Sequence, residues 1–594
     1  MVAEAAKTKE VLRGGEFLIK DESAEGVFIP EDLNEEQEMI RQMVKDFAAS
    51  AQDRAGKIKH QVELLQEAGE LGLLGSHIPE QYGGMLMDNN SNTVIYEELG
   101  AIPGGFSTTV AAHTGIGTLP ILYFGTEAQK AKYLPQLATG ELKAAYCLTE
   151  PSSGSDALAA KTRADLDGEE YVLNGQKMWI SNGGFADLFI VFAQLDGDKF
   201  TGFIVERERE GLSLGAEEHK LGIKGSSTRQ VFFEHVRIPQ ENLLGTISKG
   251  HLIAFNILNV GRYKLGVMSL GGAKAAADIA IKYANERQQF KQPISSFGAI
   301  QHKLAEMAIR MFALETSSYR ISDLMQQRID ALKADGKTYE DALLDAAEEY
   351  AVECSIIKVY GSETAFYVAD ENVQVHGGYG FSEEYMAAQI YRDVRIGRIY
   401  EGTNEINRML MVNMIFKSAM KGKLDLVGPA WAVQKELASM PSFEEATGDY
   451  GNEIKAVKDF KKIVLMVAGA AAKMQMEGQL NLRAEQEILA NLADMMIDLY
   501  NAESLLLRTI KLADRDDKAA GQKVYDAILR TYVTDANFRI QKNATDALTG
   551  FAEGDLLKTL LMGLKRFTKY SPANVKVCRR TIAAHLIAAN GYDL

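Results

Sequence analysis

Tyr171-Val172-Leu173-Asn174-Gly175-Gln176-Lys177-Met178-Trp179-Ile180 is the stretch on which the fold turns. Asn-Gly between two runs of strand-forming residues predicts a hairpin, with Tyr171–Leu173 set against Lys177–Ile180. Working outward, Leu188 to Gln194 and Phe200 to Glu206 flank a second turn at Asp196-Gly197, and Gln230 to Phe233 adds a further strand. Residues 146–245 therefore read as a compact β domain, and both flanks read as helix. Ahead of it, Asn34 is placed to cap a helix whose first turn carries Glu35, Glu36 and Glu38, and helical patterning continues to residue 145. Behind it, Leu304, Ala308, Met311 and Leu314 recur at helical spacing within a segment spanning 246–420. A polar, turn-rich linker is expected over 421–455, and Leu489, Leu492, Met496 and Leu499 mark an additional helical domain over 456–594. Residues 1–33 form an N-terminal extension. The fold class expected is α+β, mainly α.

The 594 residues carry 65 basic and 81 acidic side chains, a net charge of −16, which argues against a nonspecific grip on nucleic acid or an anionic membrane. Cys147, Cys354 and Cys578 are far apart, with no CxxC and no metal-ligand spacing, so a reducing compartment and no metal are expected. The first residues, MVAEAAKTKEVLRGGE, lack a signal core and a transit-peptide composition. The longest apolar stretch, Ile463 to Ala472, falls short of the ~20 residues that span a bilayer. A cytoplasmic protein without stable membrane insertion is expected.

No GxGxxG follows a strand, and neither a P-loop nor HExxH occurs. The β segment instead sets hydroxyls and glycines at turns, Thr149-Glu150-Pro151-Ser152-Ser153-Gly154-Ser155-Asp156 and Trp179-Ile180-Ser181-Asn182-Gly183-Gly184. Such residues suit a large planar ligand with phosphates, and taken alone they are also ordinary turn chemistry. A second concentration spans 374–405, with Gln374-Val375-His376-Gly377-Gly378, then Arg392, Arg395 and Arg398, then Tyr400-Glu401-Gly402-Thr403-Asn404-Glu405. Glu401 reads either as a carboxylate at the rim of an anion-binding cleft or as an acid decorating the start of the next helix.

Together YCLTEPSSGSD, KMWISNGG, LGIKGSSTRQVFFEHVRIP, NERQQF, QVHGGYGF and RIYEGTNEI, in this order, resemble the acyl-CoA dehydrogenases, in particular the very-long-chain type with a C-terminal extension. The resemblance implies a helical N-terminal domain, a barrel-like middle domain and a C-terminal four-helix bundle, with FAD between the last two. It implies that Thr149 and Ser181 meet the flavin ring, that Trp179 packs on it, and that Ser155 lies near the pyrophosphate and substrate. Arg287, Phe290, Gln374, Gly377, Gly378 and Thr403 would hold the adenosine diphosphate portion, partly across a dimer interface. Arg262 would contact CoA, and Gly402 would adjoin the thioester. Glu401 would be the base; the positions where some relatives place it, Val260 and Gly261, carry no carboxylate here. Ser107 and Ala111, both small, would open the floor of the acyl pocket. The implied activity is α,β-dehydrogenation of long-chain acyl-CoA to the trans-2-enoyl thioester, the first step of fatty-acid β-oxidation, by a homodimer handing electrons to an electron-transfer flavoprotein. An oxygen-using oxidase and a non-catalytic assembly protein of the same fold remain open alternatives at this stage.

Overall fold

A computed structural model describes residues 11–439, 447–515 and 521–594. The chain forms two compact units, one of 1–29, 319–356 and 408–575, the other of 30–318, 357–407 and 576–594.

The unit holding residues 30–318 opens on the helix Glu35–Ala55. Its start is a reciprocal cap, in which Gln37 N donates to Asn34 Oδ1 (2.9 Å) and Asn34 N to Gln37 Oε1 (3.1 Å). Helices Gln61–Glu70, Asn89–Gly100, Phe106–Ala111, Leu119–Phe124 and Glu127–Thr139 follow. Between the third and fourth of these, Ala112–Gly117 widens into a π-helical turn, a local irregularity that recurs at functional sites.

The β region is an eight-stranded sheet. Its strands are β1 (Ala144–Cys147), β2 (Arg163–Asp167), β3 (Glu170–Ser181), β4 (Leu188–Leu195), β5 (Lys199–Glu206), β6 (Leu212–Leu214), β7 (Thr228–Pro239) and β8 (Leu243–Leu244). They lie in the order β6-β7-β3-β2-β4-β5-β8, with β1 parallel to β4. Strand β4 is central and almost wholly buried, which is why LFIVFAQL is a continuous apolar run and does not alternate. The Asp196-Gly197 turn forms as the sequence predicts, with both residues at positive φ (52° and 96°) between β4 and β5.

The Asn174-Gly175 hairpin does not form. β3 runs straight through it, paired with β7, and the pair is absorbed as a bulge between Leu173 and Gly175. Gly175 takes φ 148°, where a Cβ would lie 2.7 Å from Thr162 Oγ1, and Asn174 Oδ1 accepts from His235 N (2.9 Å). The Asn-Gly signal thus marks a backbone kink satisfied by a neighbouring strand. The chain reversal sits just upstream, where Asp167 pairs with Glu170 around Gly168 at φ 65°.

Helix Gly250–Glu286, Gly298–Ala334 up to Ser318 and Ala351–His376 from Ile357 onward complete this unit's core. Leu304, Ala308, Met311 and Leu314 are all buried, as their spacing predicts.

In the other unit, helices Gly451–Met476, Gln486–Ala513, Gln522–Phe551 and Gly554–Phe567 pack together, and Leu489, Leu492, Met496 and Leu499 face their shared core. That stripe is internal and offers no surface for a second chain. The span read as a linker contains a helix, Val427–Ala438, against Gly451–Met476: Pro429 sits in its first turn, where a missing N–H costs nothing, and Val433 is buried. The next helix starts at Gly451, ahead of the predicted residue 456. Residues 1–10 of the extension and 440–446 of the linker lie outside the described residues, as do 516–520.

Candidate active site

A cavity of about 680 Å³ lies within the unit that holds the sheet. One wall is a single face of Gly250–Glu286, with Gly261, Lys264, Leu265, Met268, Gly272, Ala275 and Ile279 recurring every third or fourth residue. The wall opposite is Gly104–Gly105, Ser107, Ala111 and the π-turn residues Ala112, Gly115 and Ile116, and Ser181 closes one side. Glu401 enters from the loop ahead of helix Asn404–Met420.

Glu401 is held at φ 57° and Gly402 at φ 79°. A left-handed glutamate is strained, and the surrounding hydrogen bonds show what maintains it. Asn407 Nδ2 donates to the carbonyls of Glu401 (3.3 Å), Gly402 (2.8 Å) and Thr403 (3.0 Å). Lys358 Nζ donates to Gly402 O (2.6 Å) and Asn404 Oδ1 (2.7 Å), and Arg262 Nε donates to Glu401 O (3.4 Å). These clamps hold the loop backbone and leave the carboxylate free to face the cavity. Glu401 Oε2 is buried and has no hydrogen-bond partner among the described residues. A Cβ on Gly261 would fall 2.7 Å from it, so glycine there makes the space the carboxylate occupies.

Burial pushes the Glu401 carboxyl up to about 7, against the pull of Arg262, Lys358 and Lys264. Burial pushes Lys264 and Lys358 down to about 7, each opposed by Glu401. Tyr146, buried on β1, is raised well above its usual range by burial and then by Glu401. Tyr400 is raised to about 12, chiefly by burial.

Ser107, Ala111, Ser181 and Glu401 thus come together on one cavity, with Gly402 next in chain. Glu401 neither sits at an anion-binding rim nor decorates a helix start. The helix begins at Asn404, capped by Thr403 Oγ1 accepting from Ile406 N (3.2 Å), and Arg392, Arg395 and Arg398 do not line the cavity. Arg398 lies on the Phe366 ring and Arg392 pairs with Glu383. Arg262 is buried, with Nη1 donating to Asn259 Oδ1 (2.7 Å), so it braces the loop from behind.

The remaining predicted residues lie outside that cavity, most of them exposed. Trp179 is 59% exposed at φ 56°, and Phe290 is 87% exposed. Thr149 O accepts from Met178 N (2.9 Å), which ties Thr149 to the strand carrying Trp179 and Ser181. Ser155 is exposed on the turn that Glu150 pins, its carboxylate accepting from Lys161 N and Thr162 N and pairing with fully buried Lys177 (2.7 Å). Arg287 lies over the Tyr379 ring, Gln374 is exposed, and Gly377 and Gly378 have open space where side chains would be.

Four family models match in series: the acyl-CoA dehydrogenase N-terminal domain over 34–141, the middle domain over 145–236, and C-terminal domain models over 248–416 and 459–566. A probable acyl-CoA dehydrogenase of Bacillus subtilis (strain 168) is 46% identical over 99% of this chain and 100% of its own. The chain belongs to the acyl-CoA dehydrogenase family. Among other members, the human mitochondrial very long-chain specific acyl-CoA dehydrogenase is 35% identical over 86% of this chain and 80% of its own. The crystal structure of an acyl-CoA dehydrogenase from Bacillus anthracis complexed with FAD matches with a TM-score of 0.94 at 46% identity, covering 98% of this chain and all of that one, 100%.

Sequence reading missed the residues that make this family's loop rigid here. Asn404 stands within the RIYEGTNEI motif and Asn407 directly after it, and both could have been noticed as polar residues at helix-start spacing. Lys358 is a lone cation in the mostly apolar run from Ser355 to Tyr360, and that oddity was its signal, whereas Lys264 follows Arg262 by two residues and carried none.

Proposed function

We propose that the enzyme dehydrogenates long-chain acyl-CoA thioesters between Cα and Cβ, with Glu401 as the base. The observation that carries this reading is the buried, unpartnered Oε2 of Glu401, held at a strained backbone angle on an apolar cavity. FAD is the cofactor, and when bound it supplies the acceptor for the two electrons that the oxidation releases. The residues fit it: Trp179 and Phe290 present flat apolar faces, Ser181 and Thr149 offer hydroxyls, and the Gly377-Gly378 turn leaves room for a close approach by phosphates. Among the described residues no group could hold a metal ion.

Glu401 takes the α-proton at Oε2. Desolvation by the acyl chain raises its basicity toward neutral working pH, and the cations at its backbone keep it aimed at the cavity. The backbone N–H of Glu401 polarises the thioester oxygen, and Gly402, next in the loop, adjoins the thioester. Small side chains at Ser107 and Ala111 and the glycines of the facing helix leave length for the chain, and each buried methylene gains ~0.8 kcal/mol while space lasts. That supports acyl chains of about fourteen to eighteen carbons, read from the open wall. Electrons pass on to an electron-transfer flavoprotein, and the enzyme works as a homodimer, a reading supported by the exposed aromatic rings of Phe290 and Phe381.

Anaerobic titration with a series of acyl-CoAs tests this directly. Bleaching of the yellow holoenzyme should be fastest with long chains, and reoxidation by oxygen should be slow compared with reoxidation by an electron-transfer flavoprotein. Ala111→Glu should move the optimum to shorter chains. An optimum at four to eight carbons, or an unmoved one in the variant, overturns the chain-length reading.

A further inference from the structure

Lys264 is 2% exposed, stands on the cavity wall one helical turn beyond Gly261, and plays no part in the steps derived above. Gly261 and Lys264, at i and i+3, share the helix face that meets the Glu401 carboxylate. Lys264 Nζ donates to Thr114 Oγ1 (3.1 Å), on the π-helical turn, and lies 4.3 Å from the centre of the Tyr96 ring. Both contacts hold the ammonium in place, and both are neutral, so neither cancels its charge. We propose that Lys264 is a positioning residue for the base: it is the cavity's own counter-cation for Glu401 and keeps that carboxylate ionised before the acyl chain enters. This rests on Glu401 being the base.

Three cations favour the ionised Glu401, and the pulls of Arg262 and Lys358 are the larger, but both act from behind the loop. Arg262 and Lys358 bond the backbone carbonyls of Glu401 and Gly402 and stand behind the loop, outside the cavity wall. They fix the loop whichever protonation state the carboxyl has. Tyr146 and Tyr400 also face Glu401, and burial raises both well above neutrality, so they are uncharged there. Around Lys264, His77 meets Tyr96, and His113 accepts from Ala144 N and contacts Leu137 O. Burial pushes these two imidazoles down to about 3 and about 4, against the Leu137 hydrogen bond in the case of His113, so both are neutral at physiological pH. Glu401 is the carboxylate that sustains the charge on Lys264, and Lys264 is the cation on the wall that sustains the charge on Glu401. Two buried groups coupled this way titrate as a pair. A buried ammonium whose direct contacts are both neutral is otherwise a cost that methionine, of similar length, would avoid.

The test uses the FAD-loaded enzyme and a long-chain acyl-CoA. In Lys264→Met the acid limb of kcat/KM and of the flavin-bleaching rate should move up by about one pH unit. That is a loss of about tenfold below the limb, with most of the rate recovered at alkaline pH. The infrared carboxylic-acid band that vanishes in Glu401→Gln should persist to higher pH in Lys264→Met. Thr114→Val, which removes the hydroxyl that anchors the ammonium, should shift the limb the same way by less, and it carries the test alone if Lys264→Met does not fold. An unmoved limb, or an equal loss at every pH, overturns the proposal. Bleaching at the wild-type rate in Glu401→Gln would instead overturn the base assignment, which separates the two failures.

Discussion

Two glutamates with buried carboxylates, one in each unit, show two ways of using charge. In the unit built on the C-terminal helices, Glu503 meets Arg320 (2.8 Å) and Lys461 (2.5 Å), Arg320 also meets Glu22 (2.9 Å) and Ser504 (3.0 Å), and Lys461 reaches Asp21 (3.1 Å). Each charge there is answered at a side-chain oxygen or nitrogen. Around Glu401 in the other unit, Arg262 and Lys358 are spent on main-chain carbonyls and the carboxylate is left wanting. A saturated network fixes a shape, whereas a starved carboxylate keeps an unmet demand for a proton. Burial is common to both, and what differs is where the cations put their hydrogen bonds.

The sharpest way to break the contrast is Glu401→Gln. The amide cannot accept a proton, so flavin bleaching by acyl-CoA should slow by at least about a thousandfold while FAD and substrate still bind, as stopped-flow absorbance will read. In the saturated network the mirror experiment is Arg320→Met, which takes the arginine from Glu22 and leaves Glu503 to Lys461. It should destabilise the protein by about 3–5 kcal/mol, seen as a lowered unfolding midpoint in denaturant. Gly261→Ala should push the Glu401 carboxylate aside, because the new methyl would sit 2.7 Å from Oε2. The displaced atom ends a flexible side chain, so stability should barely change while kcat falls about ten- to hundredfold in steady-state assays.

The smallest effect concerns pH. Glu401 titrates near 7 in the folded chain, against its ordinary 4.5. Between those values the folded state holds a proton that the unfolded state has lost, so this group's contribution to stability is complete below 4.5 and gone above about 7. Glu401→Gln should therefore be more stable than the parent at pH 8, by about 1–3 kcal/mol, and equal to it at pH 4, by thermal melts at both values.

Much of the architecture was legible because it rests on local chemistry. Asn34 caps its helix, Asp196-Gly197 turns its strands, and the Leu304 to Leu314 periodicity lies inward. Asn174-Gly175 misled because a positive φ is needed at a bulge as well as at a turn, and only the partner strand decides between them. The helix Val427–Ala438 was hidden by a proline that suits a first turn as readily as a linker. Within the site, Glu401 was named by its motif, whereas Lys358 and Lys264 depend on pairings 43 and 137 residues away in sequence (401 − 358 and 401 − 264) that no local pattern carries.

The wall formed by helix Gly250–Glu286 has one more consequence. Its cavity-facing residues from Gly261 to Lys282 are spaced by helical turns, each about 5.4 Å long, so the wall is graduated like a ruler. A chain lying along it is measured in turns, a few methylenes at a time. Filling Ala275, or nearer the base Gly272, would place a stop at successive marks, so chain-length preference in this enzyme should change in steps set by helix geometry.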